Sequence, residues 1–331
     1  MEYRKIIKFG NSSHVVSLPS YWLKRNKLNK GDLIYFEENG NNELIFSPRV
    51  KDSKKELNKI VIDSTNKDLS DINREIISKY IAGYDLIEIS DNSMEKRSAD
   101  IRNLIHNLMG MEIMFQDKKR IVARDLLDLK SISLKNIINR IDIIIRSMLE
   151  DSKATITEDH YNSIYNRDKD VNRLSFLAHK VIKKCILNPN IARELSVDNL
   201  YLLNSWQLLI NLEKIGDEAK RISRFFKDLN LKNKESEQLL KIYSKIIESY
   251  LNVMKAYYKD DKKIAYEIAL TKDKIIEECN NISEKSKNPK ICRVIERIKG
   301  MEVYVRNISR VVFDKSDMYP LLNDKNKNIY K

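Results

Sequence analysis

Glu213 and Asp217 stand at i and i+4, which places two carboxylates together on one side of a helix. Such a pair repels by a few tenths of a kcal/mol in water, and the sign reverses when a cation sits between them. Oxygen-rich clusters suit hard or borderline metals, whereas a solvated pair would be balanced by Lys220 and Arg221. Asp273 and Glu277 repeat the spacing further on. At the other end of the chain, Arg4, Lys5 and Lys8 precede a Gly10-Asn11-Ser12 turn, and Lys24 and Arg25 close a short helix. Basic side chains so placed can reach phosphates, and a β-ribbon can enter a major groove. The segment 1–48 holds both signs of charge, so ordinary solvated side chains remain the other reading. No Ser-His-Asp, Cys-His or glycine-loop arrangement is present, and an enzyme is not expected. His106 has only Asn103 and Asn107 beside it, which fits a surface or partly packed histidine. Cys185, Cys279 and Cys292 form no Cys-x-x-Cys pair and read as buried thiols.

Lysine and arginine exceed aspartate and glutamate by 61 − 48 = +13, which favours an acidic partner such as nucleic acid. With 42% apolar and 33% charged residues the chain folds. No stretch approaches the roughly 18 apolar residues of a membrane helix, and charges interrupt the first ten positions, so membrane insertion and a signal peptide are not expected. The expected location is the cytoplasm. Glycine and proline are few, and Gly10, Gly31, Gly40, Pro19 and Pro48 fall in the first 48 residues. Turns therefore concentrate at the front, with helix behind.

Period-two patterning predicts strands over 3–9 and 14–18, then a short helix over 20–26 capped by Ser20. Strands over 33–38 and 43–47 follow, joined by the hairpin signal Asn39-Gly40. Arg4-Lys5-Ile6, Lys8-x-Gly10-Asn11-Ser12, Val16-Ser17-Leu18-Pro19, Leu28-x-x-Gly31-Asp32 and Phe46-x-Pro48 resemble the AbrB/MazE/SpoVT family across these 48 residues. The resemblance implies a swapped-hairpin domain, a homodimer and a palindromic promoter site contacted by Arg4, Lys5, Lys8, Lys24 and Arg25. Some members of that family only dimerise or cover a toxin. Four short strands and one helix exclude too little water alone, so pairing of two copies is physically reasonable.

A polar linker over 51–59 leads into alternating strand and helix patterns: strand 60–63, helix 70–82, strand 84–90, helix 95–109, and strands 112–116 and 120–124. Gly83 and Gly110 are placed as left-handed helix ends. The segment resembles the one joining the two domains of archaeal AbrB–PhoU fusion proteins.

From 131 to 318 the period is helical. Helices are expected over 133–151, 158–187, 197–228, 235–259, 262–285 and 289–317, as two antiparallel sets of three. Leu208, Leu212, Ile215, Ala219, Ile222 and Phe226 form the core stripe of the third, with Glu213 and Asp217 outward. Trp206 and Leu209 are read on that outward face, as an interface. The sixth repeats the pattern through Ile291, Val294, Ile298, Met301, Val305, Ile308 and Val312, with Glu296 opposite. Leu212-Glu213-Lys214-Ile215 parallels Ile295-Glu296-Arg297-Ile298. Asn211-Leu212-Glu213-Lys214-Ile215-Gly216-Asp217-Glu218-Ala219 resembles the Leu-Glu-Arg-Ile-Gly-Asp motif of the PhoU family, and Asp168-x-Asp170-Val171-Asn172-Arg173-Leu174 its helix-two signature. That resemblance implies a pair of three-helix bundles, phosphate signalling to a transporter and its kinase, and divalent or ferric metal ions held by Glu213, Asp217, Asp168 and Glu296. Gly300 stands where the family's second repeat has an aspartate, and Asn172 where its helix two has one. At least one metal cluster is therefore expected to be reduced or lost, with the first repeat loaded more fully than the second.

The expected chain is thus multidomain and mainly α. A swapped-hairpin domain covers 1–48, an α/β module 55–127, PhoU-like bundles 131–229 and 234–318, and a loose tail 319–331. The expected role is a DNA-binding regulator of phosphate uptake with the helical half as sensor. The alternative is an interaction protein acting on a phosphate transporter or kinase without touching DNA.

Overall fold

Short strands at the front and long helices behind divide the chain into two units, Met1–Glu56 and Leu57–Lys331. A computed structural model describes residues 3–38, 43–48, 57–227, 233–286 and 288–327.

In unit 1, β1 (Ile7–Phe9) pairs antiparallel with β2 (Ser13–Val15), and Gly10 turns the chain at φ 69. Helix α1 (Ser20–Arg25) follows, then the antiparallel pair β3 (Tyr35–Glu38) and β4 (Leu44–Ser47). The first two strands are shorter than expected, because each has only the other to bond with and a two-stranded ribbon is marginal. Ser20 is the first helical residue rather than the cap. The Pro19 carbonyl instead accepts from the amides of Trp22 and Leu23. The Asn39-Gly40 turn and most of the linker lie outside the described residues.

Unit 2 begins with a mixed sheet. β5 (Lys59–Asp63) runs parallel to β6 (Leu86–Ser90), and β8 (Arg120–Asp125) is antiparallel to both β6 and β7 (Met111–Gln116), in the order β5-β6-β8-β7. Helix α2 (Leu69–Ala82) is capped by Asp68 on the Asp71 amide and ends at Gly83, φ 82. It buries Ile72, Ile76 and Tyr80, one per turn. Helix α3 (Met94–His106) stops earlier than expected, with exposed His106 in its last turn. Gly110 is therefore a turn glycine, φ 75, and not a helix end. A Cβ there would meet the Leu127 side chain at 2.1 Å.

A 3-10 turn (Leu129–Ser131) leads to α4 (Leu134–Ala154), α5 (Tyr161–Leu187) and α7 (Asn199–Lys227), then α8 (Asn233–Lys259), α9 (Lys262–Lys285) and α10 (Pro289–Lys327). Pro189 ends α5 as expected but also opens α6 (Pro189–Glu194), since proline at a first helical position forfeits no bond. Asn188 caps that extra helix through the Asn190 amide. The last helix runs to Lys327, beyond the expected end at 317, so most of the 319–331 tail is helical.

The two helical triplets share one core. Ile141, Val171 and Leu212 from the first lie in the same buried cluster as Ile246, Cys279 and Ile298 from the second. Asp142 of α4 accepts from the hydroxyls of Tyr250 (2.7 Å) and Tyr258 (3.0 Å) on α8. The sheet module is docked as well: Phe176 of α5 packs on its core, Lys180 meets Asp125 at 2.5 Å, and Lys184 meets Asp85 at 3.3 Å. A Cβ on Gly83 would lie 2.4 Å from Cε of Lys184, so glycine is needed there for backbone and for room. Among the described residues no helix is long and apolar enough to cross a membrane.

Candidate functional site

Arg4, Lys5 and Lys8 lie before and within β1, Lys24 and Arg25 in the last turn of α1, and all five are exposed. Lys8 stands opposite His14 in the hairpin register. Around them the apolar side chains are also exposed: Tyr3 at 85%, Ile6 at 74%, Leu33 at 73% and Phe36 at 68%. Among the described residues of unit 1 not one is buried. Phe36 and Phe46 face each other at 6.2 Å between ring centroids, a pair too small to form a core.

The acidic candidates fare differently. Asp168 of α5 and Asp217 of α7 do come together, and what joins them is Lys220. Its Nζ lies 2.5 Å from Asp168 Oδ2 and 3.0 Å from Asp217 Oδ1. Asn172 donates more weakly to the same Asp168 oxygen, at 3.5 Å. Burial works against charge on Lys220, yet the bonds to Asp168 and Asp217 outweigh it and raise its pKa. For Asp168 the balance tips the other way. Burial raises the carboxyl above its usual range despite the ammonium beside it. Glu213 is half-buried and also raised, first by burial and further by Asp217 and Asp168. The wheel reading of Glu213 and Asp217 as outward is thus corrected in degree: both are half-buried, and Asp168 beside them is buried.

Glu296 is not part of this group. It is exposed on α10 and pairs with Lys299 at 2.6 Å. Asp273 and Glu277 are exposed on α9. Among the described residues no set of three or more metal-type ligands converges. The arrangement as it stands does not fit a metal ion, because the Lys220 ammonium holds the oxygens a metal would use.

Sequence reading passed over Glu218, which is 3% exposed. It takes Arg221 at 2.6 Å and Arg297 of α10 at 3.6 Å, so it bridges the two repeat motifs. The signal was present in the paired motifs, since Arg297 sits beside Glu296 in the second copy. The expected Trp206–Leu209 interface is also corrected. Leu209 is fully buried in the helical core, and Trp206 packs against His179 with ring centroids 4.3 Å apart.

No family model and no curated protein sequence matches the chain. Among solved structures, the crystal structure of PhoU from Pseudomonas aeruginosa is similar at a TM-score of 0.44 and 13% identity, over 56% of this chain and 92% of that one.

Proposed function

We propose that the chain is a dimeric, DNA-binding regulator of phosphate uptake, acting in the cytoplasm, with unit 2 as the sensing or partner-docking part. The observation that carries it is the unburied state of unit 1. Ile6, Phe9, Leu33 and Phe36 are each more than 65% exposed in one copy, and a second copy supplies the missing cover. A two-fold dimer suits a palindromic site. Exposed Arg4, Lys5, Lys8, Lys24 and Arg25 then serve as phosphate contacts. The phosphate connection rests on the PhoU-like motifs at 168–174 and 211–219, and phosphate transporter components are the corresponding protein partners.

Promoter fragments from the native genome, titrated at several salt concentrations, test the reading. Affinity should fall with a log–log slope of about −0.9 per phosphate neutralised. Replacing Arg4, Lys8 and Arg25 by alanine together should weaken every sequence and flatten that slope. Undiminished binding by the triple variant removes the proposed surface. No binding by the native dimer, with capture of a transporter or kinase component instead, favours the interaction-protein reading.

A further inference from the structure

We propose that Lys220 is the resident cation of the first acidic motif, in the place where the motif's sequence leads one to expect a metal. The inference stands on α5 and α7 alone and is independent of DNA binding. Glu213 and Asp217 are spaced for a shared cation, and Asp168 arrives from the neighbouring helix. Between Asp168 and Asp217 the chain inserts its own ammonium, reaching both within 3.0 Å. Lys220 lies one turn beyond Asp217, so the helix that supplies the acid also supplies the counter-ion. The second carboxylate contact crosses to α5, which makes Lys220 a stitch between two helices as well as a neutraliser.

The second copy of the motif follows the same logic with different residues. Glu296 is met by Lys299, again one turn ahead on its own helix. Glu218 is met by Arg221 and Arg297. Asp168, Asp217, Glu218 and Glu296 are thereby charge-paired from within the chain. A divalent ion entering the first would have to evict an ammonium that holds two charge-assisted contacts.

Manganese(II) titration of the full-length protein, followed by calorimetry and by thermal melting with and without EDTA, tests this. The native protein, purified without chelator, should carry no stoichiometric metal, and its melting midpoint should not respond to EDTA or manganese. Lys220→Met keeps the aliphatic stem and removes the ammonium that Asp168 and Asp217 share, leaving Asp168 with Asn172 at 3.5 Å and Asp217 with Arg221 at 3.8 Å. That variant should melt lower and regain the loss on adding manganese. Its affinity should exceed the native one by about 100-fold, a decade for each of the two displaced charge-assisted contacts. Lys220→Gln, which retains polar bonding, serves if the methionine form does not fold. Equal manganese affinity in native and variant proteins overturns the proposal, as does native protein that keeps its metal through purification. Absence of binding in both folded variants also overturns it, since the carboxylates would then compose no cation site for the lysine to fill.

Discussion

Leu208, Leu212, Ile215 and Ile222 of the helical body are at most 1% exposed, whereas Ile6, Phe9, Leu33 and Phe36 of unit 1 leave most of their surface in water. The composition of the two regions is not the cause, since both carry regular apolar patterns. The difference is geometric. Helices of twenty or more residues can close a core by folding back on each other, while three- and four-residue strands cannot. Unit 2 therefore completes its burial within one chain, whereas the described residues of unit 1 do not, and the proposed dimer is what would cover them.

The strongest way to test the completeness of unit 2 is to disturb its most demanding buried group. Lys180 is fully buried, 2.5 Å from Asp125 and 4.2 Å from the Tyr80 ring centroid. Burial lowers its pKa against the pull of Asp125. Lys180→Ala strands a buried carboxylate and should cost about 3–5 kcal/mol in urea unfolding. Lys180→Met with Asp125→Asn should recover most of that. A loss below about 1 kcal/mol for the single change would mean that the sheet module is not locked to α5 by this pair.

A smaller effect is expected from pH. His179 is 8% exposed against Trp206, and burial, helped by nearby Lys183, holds its pKa down to about 4. The ordinary value is 6.5, so below that pH the unfolded chain takes up a proton that the folded one refuses. Stability should accordingly be full above pH 6.5 and decline towards pH 4, by roughly 3 kcal/mol at most. Urea midpoints at pH 7 and pH 4.5 should differ less in His179→Gln than in the native chain. An unchanged difference would place the acid sensitivity elsewhere.

The smallest thermodynamic effect, and the sharpest contrast, belongs to unit 1. Leu33→Asp should leave the main unfolding transition of unit 2 within about 0.5 kcal/mol, as a surface change does. The same change should shift light-scattering mass from dimer to monomer. A variant that stays dimeric would move the contact away from this side chain and weaken the contrast between the two units.

Much of this was legible in advance. The stripes 208–226 and 291–312 marked the buried faces correctly because a period of 3.6 is a local property of the chain. Leu209 was misplaced because a helix packed on several sides buries more than one stripe, and a wheel does not say how many neighbours arrive. Lys220 could be paired with Asp217 by spacing, but Asp168 is 52 positions away and only the α5–α7 packing brings it in. Lys180 gave no signal at all. A lysine in mid-helix reads as solvated until a sheet module is laid over it. Pro189 was read as a stop and is also a start, since the same missing amide suits both ends.

The shared core of the two helical triplets bears on how such a chain can be assembled in evolution. The triplets look like copies, yet Asp142 reaches Tyr250 and Glu218 reaches Arg297 across them. A recombination joint near residue 57 would pass on a unit whose burial is already complete. One near residue 230 would separate partners that now depend on each other. With such contacts crossing between them, neither triplet keeps its core when cut from the other, whereas the chain divides near residue 57 without splitting that core.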